Sequence, residues 1–300
     1  MTQIQLNYQR AIAEYREKQQ QVSINTAVNP RLITRELVPS LVLNEGYLRE
    51  NVPALFSECH NRSTRYNMVP TMTIVNAMAS NGYYPVKANQ KRKIQFDQRQ
   101  FARHVIRFRH ESRLSIAKDD IIPEIVLLNS HDGTSVYKML LGIFRVVCSN
   151  GLIVAESTMA SISVRHTGGE EIIQNILNGA RDISAQGSKV IDVINTWRQK
   201  PLDILQQRQF AQGAFDIYRG KNEIKAYIPS LLAPVRSADQ GKDLWTVFNV
   251  VQERLLKGGF NTQNASGYYR RAMAVKAIDR DINLNKALWD YTSKFNSNLN

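Results

Sequence analysis

YYPVKANQKRK (residues 83–93) and, after a short gap, ARHVIRFRHE (residues 102–111) form the basic half of a segment that runs to Val164. Both pieces alternate. In the first, the odd positions include Lys87, Lys91 and Lys93, and the even positions include Tyr84, Val86 and Ala88. In the second, Arg103, Arg107 and Arg109 alternate with Ala102, Ile106 and Phe108. Successive side chains of a strand point to opposite faces, so each piece offers one basic row and one largely apolar row. Paired, the two strands predict a sheet with a buried back and a cationic front.

Charge supports that reading. The 300 residues carry 39 Lys+Arg against 26 Asp+Glu, a net +13. Residues 85–113 contain nine cations (Lys87, Lys91, Arg92, Lys93, Arg99, Arg103, Arg107, Arg109 and Arg113) against Asp97 and Glu111, so +7 of the excess lies there. Clustered positive charge points to a polyanionic partner, nucleic acid first. Two cysteines, Cys59 and Cys148, are too few for a disulfide framework. The polar N-terminus lacks a signal-peptide core, and no apolar run approaches the ~20 residues of a membrane span. The expectation is a cytoplasmic protein with no membrane partner.

Outward from the basic strands, the chain reads as α+β. A Gln-rich amphipathic helix is expected over residues 2–21, on Ile4, Tyr8, Ile12 and Tyr15, followed by an extended arm to residue 70. Pro70 and Gly82 bracket a helix over Thr71–Asn81. Glu124–Asn129 is an apolar strand. YKMLLGIFR (residues 137–145) fits helix or strand, and Leu152–Glu156 and Ser157–Val164 read as further strands. The core over 71–167 is thus a mainly antiparallel sheet with one basic face. Residues 168–300 read as helical: one helix from Glu170 through Trp197, another beginning at Pro201, a loop or broken helix over Ile224–Ala238, a helix over Asp243–Lys257 stopped by Gly258, and a closing helix over Arg270–Phe295.

Chemistry-bearing motifs are sparse. His104, His110 and His131 are the histidines from which a metal site would be built. No zinc-ligand spacing and no His-Glu-x-x-His accompanies them, which favours packed or hydrogen-bonded imidazoles and predicts no metal. NSHDGTS (residues 129–135) is a turn by composition, with His131 as its candidate backbone-phosphate contact. Glu124, Asp132 and Glu156 are the carboxylates a nuclease would use, without a recognisable spacing. Neither GxxxxGK[ST] nor GxGxxG occurs, so no nucleotide cofactor is expected. For stacking on bases, Tyr83 in the basic row is preferred to Phe108 in the apolar row. Tyr268-Tyr269-Arg270-Arg271 is a second candidate contact.

HVIRFRHES, PEIVLLNSHDGTSVYKMLLGIFRVVCSNGLIV and DLWTVFNVVQERLLKGG closely resemble the phage/plasmid-like proteins grouped as domain of unknown function 932. That resemblance spans roughly residues 30–295 and implies a protein borne by prophages and plasmids in a bacterial cytoplasm. It supplies no catalytic residues. A helix ending in Gly-Tyr and followed by consecutive basic antiparallel strands is also similar to the core of Rad-fifty-two-type annealing proteins. That likeness implies rings or filaments that hold a DNA backbone in a cationic groove. It departs from the annealing core in the extra strands before Glu170.

Together these readings predict a non-enzymatic, homo-oligomeric protein that binds and anneals single-stranded DNA, with a partner nuclease. Its contacts would be Tyr83, Lys87, Lys91, Arg92, Lys93, Arg103, Arg107, Arg109, Arg113, His131, Arg270 and Arg271. The competing readings are an interaction protein that inhibits a host defence factor and a metal-dependent nuclease.

Overall fold

The structure, a computed structural model, describes residues 42–57, 69–91, 96–114, 121–132, 136–145, 151–154, 161–164 and 170–299. The helix expected over residues 2–21 lies outside these, as do Arg92, Lys93, Glu156 and both cysteines. The chain divides into two compact units, residues 1–146 with 161–185 and residues 147–160 with 186–300. No described helix is long and apolar enough to cross a membrane.

In the first unit, α1 (Glu45–Asn51) is capped by Asn44, whose side chain accepts the Tyr47 N–H at 2.8 Å. α2 (Thr71–Ser80) follows Pro70, and the chain leaves it through Gly82 at φ +81°, a left-handed turn that glycine adopts without steric cost. Then come β1 (Tyr83–Gln90), β2 (His104–His110), β3 (Ile121–Asn129) and β4 (Tyr137–Arg145). β5 (Gly151–Val154) falls in the second unit, and β6 (Ser161–Val164) returns to the first. Each of β1 to β4 pairs antiparallel with its neighbour, and β6 pairs antiparallel with β4.

YKMLLGIFR resolves as strand. β3 is buried along its whole length and β4 nearly so, which erases the alternation that would have identified them. Each leucine sequestered there contributes about 1.5–3 kcal/mol by burial. Gly142 of β4 stands opposite Glu124 of β3. A Cβ at Gly142 would lie 2.6 Å from the Phe144 ring and 2.8 Å from Val126 Cγ2, so the glycine makes room for Phe144 to lean across the strand. The other face receives the first half of α3 (Glu170–Arg198), where Gly179 lets the helix settle on Met139 and Ile162.

The second unit is helical around an aromatic core. It takes α3 from Gln186 onward, α4 (Ile204–Arg219), β7 (Ile224–Ala226), the one-turn α5 (Ile228–Leu231), α6 (Leu244–Lys257), β8 (Asn261–Asn264), β9 (Tyr269–Arg271) and α7 (Ile278–Ser297). Trp197 packs at 4.5 Å from Trp289 and 5.9 Å from Phe248, and Trp245 stacks on Phe248. α4 begins three residues after Pro201, because Asp203 and Gln206 form a capping box and Pro201 bridges to Asp243 instead. Residues 224–226 are a strand rather than loop.

The closing helix is shorter than its periodicity suggests. Residues 269–271 pair with β8, and the Ala272 and Val275 N–H groups donate to Phe260 O and Leu256 O, so this backbone is already committed. The helix starts only at Ile278.

Glu253 on α6 ties the preceding loop to the helix. Arg236 donates to both its oxygens at 2.7 Å, and Lys257 donates at 2.6 Å. Burial alone would raise this carboxyl's pKa, but the two cations outweigh it and hold it down at about 2, against an ordinary 4.5. The group therefore stabilises the fold above pH 4.5, and that contribution is lost as pH falls towards 2. It amounts to roughly 2–3 kcal/mol. Urea unfolding from pH 6 down to the acid range should show this loss, and Glu253→Gln should flatten the curve in that window.

Candidate nucleic-acid interface

The predicted pairing of the basic strands is present, with Lys87 opposite Arg107. Their shared face is not an open cationic groove. It also carries Val126 and Leu140, both buried, and Glu124, whose side chain is fully sequestered. Arg107 Nε donates to Glu124 Oε2 at 2.6 Å, and Arg109 donates through Nε (3.0 Å) and Nη2 (2.7 Å) to Oε1. The Arg107 guanidinium also lies 3.2 Å from the centroid of the Phe144 ring. Arg109 is buried and Arg107 half-buried. Neither presents a free charge to a phosphate. The signal for this was legible: Glu124 is the one carboxylate in an apolar strand beside the arginine row, although its residue type suggested a metal ligand.

The remaining candidates are scattered. Lys87 and Lys91 are exposed, and Arg103 and Arg113 are half-buried. Tyr83, expected to stack on a base at the surface, is only 7% exposed and packs edge-on against His110 at 5.1 Å. Its row joins the buried side because the register shifts between Pro85 and Lys87.

His131 is also inside, at 1% exposure, and so is no phosphate contact. The fold brings it to His104 but not to His110, which lies 2.8 Å from the Ser112 hydroxyl. The His104 and His131 rings stack at 5.1 Å. Thr71 Oγ1, the first residue of α2, lies 3.0 Å from His104 Nε2 and 2.9 Å from His131 Nε2, and accepts from Asn129 Nδ2 at 3.0 Å. The network assigns the protons. His104 Nδ1 lies 2.9 Å from the Ala102 carbonyl and must donate, so the neutral ring's Nε2 accepts from the Thr71 hydroxyl. His131 Nε2–H and Asn129 then fill the two lone pairs of Oγ1. One hydroxyl thus satisfies three buried groups. Thr71→Val removes it at constant shape and should cost about 2–4 kcal/mol, since unpaired buried polar groups cost ~1–3 kcal/mol each. Thr71→Ser, which keeps the hydroxyl, should lose about 1 kcal/mol. Urea midpoints of the two variants check this.

The nuclease carboxylates do not converge. Glu124 is held by arginines, Asp132 accepts from the Ser130 hydroxyl at 2.6 Å, and Glu156 is outside the described residues. Among the described residues no group of three His, Cys, Asp or Glu is placed to hold a metal ion.

The second unit offers a different surface. β7, β8 and β9 form a small antiparallel sheet in which Lys225, Gln263 and Tyr269 stand side by side across the strands, with Asn261 and Arg271 as the next pair. The tight β8–β9 connection is held by Gly267 at φ +84° and by the Asn264 side chain, which accepts the Tyr268 N–H at 2.8 Å. The turn projects its aromatics outward: Tyr268 is 69% and Tyr269 74% exposed. Lys225, Arg270 and Arg271 are exposed and form no salt bridge among the described residues. From Arg254 through Ala277 the chain holds five cations and no Asp or Glu. Open ring faces and cations without a salt bridge among the described residues therefore occur together here.

Residues 59–289, well over half of the chain, match the family described as domain of unknown function (DUF932). The chain belongs to this family. Two similar proteins from Escherichia coli (strain K12) are UPF0380 protein YafZ and UPF0380 protein YfjQ. Each is 35% identical over 240 residues, covering 79% of this chain and 86% of its own. No solved structure matches, so the likeness to Rad-fifty-two-type annealers gains no support. The DUF932 match includes both the Glu124 cluster and the Tyr268–Arg271 strand.

Proposed function

We propose that this protein binds single-stranded DNA of a mobile element and promotes annealing without nucleotide hydrolysis, through the exposed β9 edge and β8–β9 turn of the small sheet. The observation that carries this is the exposure of Tyr268 and Tyr269 in a strand and turn that also expose Arg270 and Arg271, with Tyr269, Arg271 and Lys225 on one face of the sheet. Aromatic rings accept any base by stacking, and flanking cations follow the backbone, which is the combination single strands require. The net +13 of the chain adds a long-range attraction. A duplex buries its base faces and leaves such rings unused. Annealing needs two strands brought together, which an assembly of several copies would provide.

Binding of labelled single- and double-stranded oligonucleotides across a salt series tests this, with annealing of complementary strands followed alongside. Three neutralised phosphates predict a slope of log K against log salt of about −2, at roughly −0.7 per single-strand contact. Single-strand preference with that slope is the expected result. No binding at low salt sinks the reading and makes the same face a protein-docking surface, as for an inhibitor of a host factor.

A further inference from the structure

The small sheet of the second unit carries a further exposed ring on the face that holds Tyr269. The Tyr227 N–H donates to the Asn261 carbonyl at 2.9 Å, and its backbone is extended, with φ −81° and ψ 93°. Tyr227 therefore continues β7 by one residue and stands opposite Asn261. Side chains two apart in an extended strand share a face. One face thus carries two rows, Lys225–Gln263–Tyr269 and Tyr227–Asn261–Arg271. The other is turned inward along β7 and β8, with Thr262 buried and Ile224 and Ala226 half-buried. Tyr227 is 57% exposed; among the described residues neither it nor Tyr269 packs on another ring or under a guanidinium. In the middle strand, Gln263 Nε2 donates to the Gly267 carbonyl at 3.0 Å, whereas the exposed Asn261 side chain makes no hydrogen bond among the described residues.

These six positions hold two cations and no carboxylate, so the face is complementary to an anionic chain. An acidic peptide would use the cations and leave the rings idle, whereas a single strand uses both. Strands ~4.8 Å apart with a rise of ~3.4 Å per residue place the Tyr227 and Tyr269 backbones ~12 Å apart on the diagonal. Standing side by side on one face, the two rings cannot clasp one base between them; they take two. We propose that Tyr227 is a second base-stacking residue, so that one single strand crosses the sheet from β9 to the end of β7. Lys225 and Arg271 then meet its phosphates, and the Asn261 amide meets a base edge between the rings. A carboxamide offers both donor and acceptor, which an edge of any unpaired base can match, so this contact does not restrict sequence. The assignment rests on the single-strand reading above and widens its site from the β9 edge to the whole face.

The test uses the full-length protein and a fluorescein-labelled 20-nucleotide thymidine strand, read by anisotropy across a salt series, with Tyr227→Ala and Tyr227→Phe. The bonds that hold this residue are backbone ones, to Asn261 and from the Ser230 N–H and hydroxyl, so both variants should keep the parent thermal midpoint. Tyr227→Ala should weaken binding about ten- to a hundredfold, the effect of losing one stacked base. Tyr227→Phe, which keeps the ring, should stay within about twofold of the parent. The salt slope should be the same in all three, because no charge is removed. A second arm replaces thymine by 5-iodouracil and maps photocrosslinks by mass spectrometry; adducts on Tyr227 as well as on the β9 tyrosines are expected. Parent-like binding by Tyr227→Ala, or adducts confined to Tyr268 and Tyr269, overturns the Tyr227 assignment and spares the single-strand reading. Equal losses in Tyr227→Ala and Tyr227→Phe also overturn stacking there. Failure of the parent to bind the strand at low salt overturns both readings and leaves the face to an acidic protein partner.

Discussion

Replacing Glu124 by glutamine should lower unfolding stability by about 3–5 kcal/mol, the cost of breaking a buried ion pair from one side. The carboxylate is completely sequestered, and two guanidinium groups share it at 2.6 and 2.7 Å. An amide of the same shape keeps the packing but removes the charge that compensates both cations. Arg107 has some escape, since its side chain is 16% exposed and already rests on Phe144. Arg109, at 9%, is held more deeply. Reversing Arg107 and Arg109 to glutamate would gather three carboxylates at one buried point, and this variant should fail to fold rather than report on binding. Replacing the trio together, as Glu124→Leu with Arg107→Met and Arg109→Met, should recover most of the loss, because no buried charge is left uncompensated. Urea titrations of the single and triple variants decide the matter. A stable Glu124→Gln protein would show that the trio is solvated and that the face is open after all.

The same trio shows how far sequence reading reaches in this protein. Alternation located β1 and β2 and their pairing, because a strand with one polar row leaves a period of two. It did not say what lies over that row. Whether an arginine meets phosphate or a carboxylate depends on register with β3, a strand whose own two faces are both apolar and carry no phase. Tyr83 failed for a related reason: a register shift at Pro85 breaks the odd–even count that placed it beside the lysines. Helices were more legible. Glu170–Arg198 and Leu244–Lys257 emerge nearly as their periodicity and caps require, since a helix is specified by residues three and four apart. Where the helical period ran on through Arg270, long-range pairing with β8 prevailed over local preference. The burial of His131 was not legible, because its partner Thr71 lies 60 residues away in sequence.

Removing both exposed tyrosines, Tyr268→Ala with Tyr269→Ala, should weaken single-strand binding at least about thirtyfold, because each stacked base contributes ~1–3 kcal/mol. Stability should change little. The rings are 69% and 74% exposed and bury almost nothing, while the turn is held by backbone and by Asn264. Arg270→Ala should instead flatten the salt dependence by about 0.7 in slope, the share of one single-strand phosphate. Arg270 is the cleaner probe, since the Arg271 side chain also donates to the Gly259 carbonyl at 3.0 Å and its loss would disturb the strand. The comparison that locates the interface is Lys87→Ala with Lys91→Ala, two exposed cations in and just after β1. A non-stacking electrostatic face would lose affinity in proportion to charge removed, so the lysine pair would then match or exceed the tyrosine pair. A stacking platform predicts the opposite order, and a larger tyrosine effect at high salt, where screening has already removed most of what the lysines supply.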